Sequence, residues 1–213
     1  WTDLGNPMGT NAITSIAEHE GEMYIGVSRY KPMGSALGPT LNMKPGGRVF
    51  RMSPDGQWED CGQPGGEDAV PESTPTEGYN TGKADSVYAL TSFKGRLYCT
   101  SPYRYGVYRY EGGQAWKQVG LSDLRMFALT INRGQMYSLI NGGAMYRTDD
   151  GERWTDVGTP EGSTQNYGAI IHQGALLVGT WPRGEVFRLQ DGRWLNHGRA
   201  GYEMEIMGGV HYN

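Results

Sequence analysis

Five tryptophans, Trp1, Trp58, Trp116, Trp154 and Trp194, are each followed four residues later by a glycine: Gly5, Gly62, Gly120, Gly158 and Gly198. A chain that returns to one pair at intervals is built from copies of a single supersecondary unit. Alignment on this pair extends the unit. Each full copy has a turn glycine (Gly21, Gly95, Gly134, Gly174), with an apolar or aromatic residue three positions on (Tyr24, Tyr98, Tyr137, Leu177). An aromatic–Arg pair follows: Phe50-Arg51, Tyr108-Arg109, Tyr146-Arg147 and Phe187-Arg188. The Trp-to-Gly step then closes the unit. The last two Trp spacings are 38 and 40 residues and the first two 57 and 58. The longer units therefore carry insertions of about 20 residues, as loops on a repeat commonly do.

One unit reads as four short strands, which in the second copy span 86–93, 96–100, 106–110 and 115–119. Gly95 falls in the tight turn between the first two, where positive φ is easy for glycine. Four strands in about 40 residues, repeated, is the signature of a β-propeller blade. A β-sandwich is the competing architecture, but it has no reason to repeat a tryptophan at blade period. Composition agrees. Gly and Pro number 34 and 11 of 213 residues, and Tyr and Trp 14 and 6. Leu, Ile and Val are sparse, which excludes a helical bundle, a coiled coil and an α/β chain with long amphipathic helices.

The expected fold is all-β, a propeller of four-stranded blades with four complete blades and a split fifth. The units run over about 12–62, 85–120, 123–158 and 165–198, and the split blade pairs 1–5 with 205–213. Three readings of that count stand side by side: a segment of a larger propeller, a partial propeller that assembles with a copy of itself, or a compact monomer closed through the split blade. Exposed strand edges of this kind invite pairing with another chain.

The segment Arg147-Thr148-Asp149-Asp150-Gly151-Glu152-Arg153-Trp154 resembles the Asp-box of sialidase-type (BNR) propellers. Asp149, Gly151 and Trp154 match that box, and Arg147 stands where Ser or Thr is expected. Asp55-Gly56-Gln57-Trp58 and Asp191-Gly192-Arg193-Trp194 are weaker forms. The aromatic and glycine rhythm also looks like kelch repeats. The resemblance implies a turn-stabilising element on the outer hairpin, remote from any active site. The arginine triad and Tyr–Glu pair of sialidases are not identifiable in the sequence.

The net charge is −4 and the isoelectric point about 5.6, with no block of like charge. That argues against nucleic-acid binding. No apolar run approaches the ~18 residues of a membrane span. The sequence starts at Trp1 without a charged-then-apolar leader, so it reads as a processed product or an excised piece, expected outside the cell or in a periplasm. Cys61 and Cys99 have no metal-ligand spacing and read as free or buried thiols.

Propellers bind ligands over loops that join strands two and three, and blade to blade. Those loops supply the candidate binding residues Tyr30, Tyr103, Arg104, Tyr105, Arg125, Tyr167, Trp181 and Arg183. An aromatic face stacks on the apolar side of a pyranose while Arg forks onto a carboxylate or sulfate. The same residue types dominate protein-interface hot spots, and side chains that merely snorkel along the blade surface would look no different. The aromatic–Arg pairs recur in every unit and therefore read as structural, with the aromatic in the inter-blade core and Arg on the opposite face. His19 and His172 share one repeat position but do not supply a converging ligand set, so neither metal nor cofactor is expected. A His–Tyr pair could serve a lyase, yet nothing singles one out. Carboxylates placed across a cleft, as a glycosidase needs, are not identifiable either. The expected function is a non-catalytic recognition or scaffold module for an extracellular glycan or a partner protein. The rivals are a carbohydrate-active enzyme and a structural subunit, with self- or hetero-assembly through the split blade.

Overall fold

The computed structural model of the protein describes residues 1–29, 46–65, 84, 86–102, 104–199 and 201–210. Each copy of the repeat forms one four-stranded antiparallel sheet whose strands neighbour one another in chain order. The first comprises β1 (Ala12–His19), β2 (Glu22–Ser28), β3 (Arg48–Met52) and β4 (Trp58–Asp60). The second comprises β5 (Tyr88–Phe93), β6 (Arg96–Thr100), β7 (Val107–Gly112) and β8 (Ala115–Gly120). The third comprises β9 (Met126–Asn132), β10 (Gln135–Ile140), β11 (Met145–Thr148) and β12 (Thr155–Asp156). The fourth comprises β13 (Gln165–His172), β14 (Ala175–Trp181), β15 (Glu185–Gln190) and β16 (Arg193–Arg199). The chain divides into two compact units, Trp1–Arg125 with the first two blades and Met126–Asn213 with the last two.

Within each unit the first strands of the two blades face each other, β1 against β5 and β9 against β13. The hairpins that open the blades turn on Glu20-Gly21, Lys94-Gly95, Arg133-Gly134 and Gln173-Gly174, with positive φ at both residues of every pair. That backbone matches the right-handed twist of the flanking strands. Side-chain alternation then assigns the faces. Ile25 is opposite Phe50, and Tyr24 is opposite Arg51. Tyr24 and Val49 join Val87, Leu97, Cys99 and Tyr108 in the core between blades one and two. Ile25, Val27 and Phe50 cluster on the other side, against Trp58. Tyr137, Leu139, Met145, Leu176 and Val178 form the corresponding core of the second unit. Aromatic and arginine do lie on opposite faces, but the arginine face is itself inter-blade, because Arg51 sits beside the buried Tyr24. Cys61 and Cys99 are both free and buried.

The repeated Trp and Gly form a joint. Cys61 N–H bonds to the Val49 carbonyl and Val49 N–H to the Gly62 carbonyl, so two residues of the outer strand oppose one of β3. This bulge leaves the Cys61 carbonyl outside the ladder, where it accepts Trp116 Nε1–H at 2.8 Å. Val157 and Gly158 oppose Met145 in the same way, and the Val157 carbonyl accepts Trp194 Nε1–H at 3.0 Å. The Leu4 carbonyl, one residue before Gly5, accepts Trp58 Nε1–H at 2.7 Å. Each turn is held by a residue two before the glycine. The Gly5, Gly62, Gly158 and Gly198 N–H groups donate to Asp3, Asp60, Asp156 and Asn196 at 2.7–2.8 Å. The unit thus reads Trp-x-Asx-x-Gly, and blade two departs from it with Gln118, whose Nε2 donates to the Tyr105 carbonyl instead. Trp154 Nε1 is buried without a hydrogen-bond partner among the described residues.

Residues 1–5 and 205–210 join no strand ladder among the described residues. The first segment is spent on the Asp3 turn that presents Leu4 to Trp58. In the second, Ile206 packs over Gly179 and Gly208 over Gly168, against the face of the last blade.

The segment 147–154 folds as a turn closed by the Thr148 and Asp150 side chains rather than by Arg147 and Asp149. Thr148 Oγ1 accepts the Gly151 N–H at 2.8 Å and donates to Asp150 Oδ1 at 3.0 Å, while Asp149 accepts from Gln135. The Arg153 and Glu152 N–H groups and the Arg153 guanidinium hold the Asp150 carboxyl well below the usual carboxylate range. A group whose folded pKa is depressed stabilises the fold above its unfolded pKa, near 3.9, and loses that contribution as pH falls through its folded value. Asp150→Ala is therefore expected to lower the urea midpoint at neutral pH. Wild type and variant should converge as the pH drops below about 4. Parallel midpoint curves across the whole range would refute the assignment.

Candidate functional site

At the loop end of the first unit, one short loop gathers three of the sequence-predicted side chains. Ser101 Oγ accepts the Arg104 N–H at 3.3 Å. The Tyr105 carbonyl accepts the Tyr108 hydroxyl at 2.8 Å and Gln118 Nε2 at 2.9 Å. Arg125 Nε donates to the Pro102 carbonyl at 3.0 Å. The Arg104 guanidinium lies beside the Tyr108 phenol, which burial pushes up to about 12. The Arg104 and Arg125 side chains and the Tyr105 carbonyl thus brace this loop. Tyr30 and Tyr103 lie outside the described residues.

In the second unit, Tyr167 stacks on Phe127 with ring centroids 4.5 Å apart, joining β13 to β9. Trp181 ends β14 opposite Gln165, and its carbonyl accepts the Thr164 N–H at 3.0 Å. The Trp181–Pro182 peptide is cis. Arg183 is exposed and reaches Glu185 at 3.4 Å. Its guanidinium lies over Gly162, where any Cβ would overlap it. The floor beneath is fixed by buried Asn166, which donates to the Gly143 carbonyl at 2.5 Å and accepts from Ser163 at 2.8 Å. Beside the 182–184 turn runs the segment 201–204, with the Glu203 carbonyl against Gly184. Arg199 Nη2 donates to the Tyr202 and Glu203 carbonyls, each at 2.9 Å. This leaves Tyr202 fully exposed and Met204 58% exposed on the segment beside that turn. The structure thus sets Trp181 and Arg183 on either side of one turn and packs Tyr167 against Phe127.

A second concavity, which the sequence did not reveal, opens at the hairpin end of the first unit. It encloses about 450 Å³ and is lined by His19, Tyr24, Arg51, Glu59, Cys61 and Tyr110, among others. His19 Nδ1 is 2.9 Å from Ser92 Oγ, and its ring meets Tyr24 edge-on at 5.7 Å. Tyr110 donates to the Gly113 carbonyl at 2.8 Å and packs on Trp116. Arg51 pairs with Glu22 at 3.0 Å and with Glu59. Burial pushes the Tyr24, Cys61 and Tyr110 protons up, so all three groups are neutral donors near neutral pH. The cavity can hydrogen-bond, but a neutral thiol is a poor nucleophile. The one advance signal was the register that sets Tyr24 across from Arg51. The described residues contain no group of three His, Cys, Asp or Glu placed to hold a metal, and no helix long and apolar enough to cross a membrane.

Comparison of the sequence with protein-family models and with curated proteins gives no match. Solved structures do resemble it. An inactive variant of virginiamycin B lyase from Staphylococcus aureus, crystallised with quinupristin, superposes with a TM-score of 0.56 at 12% identity, over 92% of this chain and 73% of that one. A chain of a nidogen/laminin complex gives 0.53 at 12% identity, over 87% and 62%. A structure described as a putative gluconolactonase gives 0.52 at 15% identity, over 93% and 64%. With four four-stranded antiparallel blades, these likenesses establish the fold as a β-propeller.

Proposed function

We propose that the protein is a non-catalytic recognition module that binds a partner protein through the loop corner of its second unit. The observation that carries this reading is a corner in which half-buried Trp181 and exposed Arg183 flank the 182–184 turn, beside a segment that leaves Tyr202 and Met204 exposed, on a backbone fixed by Asn166 and Arg199. Aromatic, Arg and Met side chains are the types enriched at interface cores, and apolar surface grouped on a rigid turn is characteristic of a docking site. The adjacency of Trp181 and Arg183 favours a second reading, an acidic glycan whose ring stacks on the indole and whose carboxylate or sulfate meets the guanidinium. We also assign the blades to the Asp-box class, on the Ser53–Asp55 and Thr148–Asp150 turns, and the protein to an extracellular or periplasmic setting.

The test compares wild type with a Trp181→Ala/Arg183→Ala double variant of unchanged circular dichroism. A partner protein retained by wild type is expected to bind the variant at least ~30-fold more weakly, the effect of losing a hot spot worth ~2 kcal/mol. An unchanged affinity would refute the corner as the binding site. Retention of acidic polysaccharide by wild type alone would favour the glycan, and release of new reducing ends would establish an enzyme instead.

A further inference from the structure

We propose that the hairpin end of the second unit holds a tetrahedral oxyanion, a phosphate or sulfate group, between blades three and four. A cavity of about 310 Å³ opens there, walled by Asn132, Arg133, Tyr137 and Arg147 of blade three and by Gln190 and Asp191 of blade four, among others. It occupies the same place in the repeat as the cavity of the first unit. Asn132, Arg133, Tyr137 and Arg147 stand where that cavity has His19, Glu20, Tyr24 and Arg51. The register agrees, with Arg51 across from Tyr24 and Arg147 across from Tyr137.

The charge around the two arginines is reversed. Arg51 is neutralised by Glu22 at 3.0 Å and by Glu59, its cross-strand partner. Glu22 follows the turn glycine and Glu59 follows the tryptophan of their unit. At those positions blade three has Gln135 and Thr155, and Thr155 is the cross-strand partner of Arg147. Gln135 is engaged elsewhere: its Oε1 accepts the Tyr137 hydroxyl at 3.0 Å, and its Nε2 donates to Asp149 at 3.1 Å. Among the described residues the Arg147 guanidinium enters no ion pair or hydrogen bond. The third exchange is in the hairpin turn, where Arg133 replaces Glu20. Its guanidinium reaches the opening turn of blade four, where a Cβ on Gly174 would lie 3.4 Å from Nη2. Asp191, in the β15–β16 turn, is the one carboxylate at the wall among the described residues. Arg188 also borders the cavity, but alternation along β15 sends its side chain to the face opposite Leu189, which packs on the core between the blades. The site therefore rests on Arg133 and Arg147. All three exchanges move the charge in one direction while the arginine of the pair is kept. A guanidinium presents paired N–H donors that fork onto phosphate and sulfate oxygens. Such a group can arrive as the free ion or at the end of a small molecule.

The experiment is titration calorimetry of the full chain at fixed ionic strength with inorganic phosphate, inorganic sulfate and glycerol 3-phosphate. Saturable binding at a single site is expected, and the free ions set against the ester tell the two sources apart. Arg147→Gln and Arg133→Gln should each weaken binding by ~10-fold or more. Thr155→Glu supplies the carboxylate that Arg51 has in the first unit. It should abolish binding with circular dichroism unchanged, because Thr155 is exposed. Arg193→Gln removes an exposed cation two residues past Asp191 and should leave the affinity as it was. Absence of saturable binding for all three probes, or equal weakening by Arg193→Gln and Arg147→Gln, would overturn the proposal. Trp181→Ala/Arg183→Ala should leave this affinity unchanged, so the test stands apart from that of the loop corner.

Discussion

Gly62→Ala is expected to destabilise the first unit by about 2–5 kcal/mol, since left-handed backbone costs a non-glycine residue ~1–2 and overpacking ~1–3. Gly62 has φ +86°, and an added Cβ would lie 2.8 Å from both the Cα and the carbonyl carbon of Gln114, overlapping that carbonyl. Backbone cannot swing aside as a flexible side chain can, so the hairpin of blade two would have to move away from blade one. Gly56→Ala is the matched control. Its φ is +80°, but nothing lies within 4 Å of the added atom, so only the conformational cost remains. Urea unfolding followed by circular dichroism should show the larger loss for Gly62→Ala. Equal losses would mean that the close approach of the two blades is not as described.

The second large effect is at Trp116, where two substitutions separate the two components of the joint. Trp116→Phe keeps an aromatic against the core of the first unit but leaves the Cys61 carbonyl without its donor, at a cost of about 1–3 kcal/mol. Trp116→Ala removes the packing as well and should cost about 3–5 kcal/mol, towards the lower end because the indole is only half-buried. The comparison is best made through urea midpoints at constant slope. If phenylalanine proved as costly as alanine, the hydrogen bond would outweigh the packing. If neither changed the midpoint, the joint would not hold the blades together.

How much of this was legible in the sequence differs from element to element. The strands of blade two are placed within two residues, because turn glycines and alternating apolar positions are local signals. Lys94-Gly95 could be read as a hairpin turn for the same reason. The tryptophan and glycine of the joint were visible, but the Asx between them was not. Its role is to hold the N–H two residues on, which aims a main-chain carbonyl, and a carbonyl has no letter in a sequence. The turn in segment 147–154 was aligned one residue early because two adjacent aspartates, Asp149 and Asp150, offer the same letter, and only the Thr148 hydroxyl decides which one closes it. The cavity around Tyr24 escaped because Cys61 and Tyr110 are brought together by inter-blade packing, which no local pattern encodes. Of the loop residues, nothing local marks Arg125 as the partner of the Pro102 carbonyl or Arg104 as the neighbour of Tyr108. An arginine that braces a carbonyl and one that meets a partner are the same residue in the same kind of loop.

The choice of a carbonyl as acceptor has a consequence for how such a chain can drift. Every residue offers that group, so the position before the glycine is free: it is Leu4, Cys61 and Val157 in the three joints. What the joint demands is one indole, one short capping side chain and one residue able to take a left-handed backbone. That is three positions in a unit of about 40 residues. The remaining positions answer only to alternation between inner and outer faces, which many residues satisfy. A lineage of such blades can therefore exchange nearly all its letters while its backbone path stays put. A comparison of sequences then finds no match, and a comparison of shapes finds likenesses at 12–15% identity.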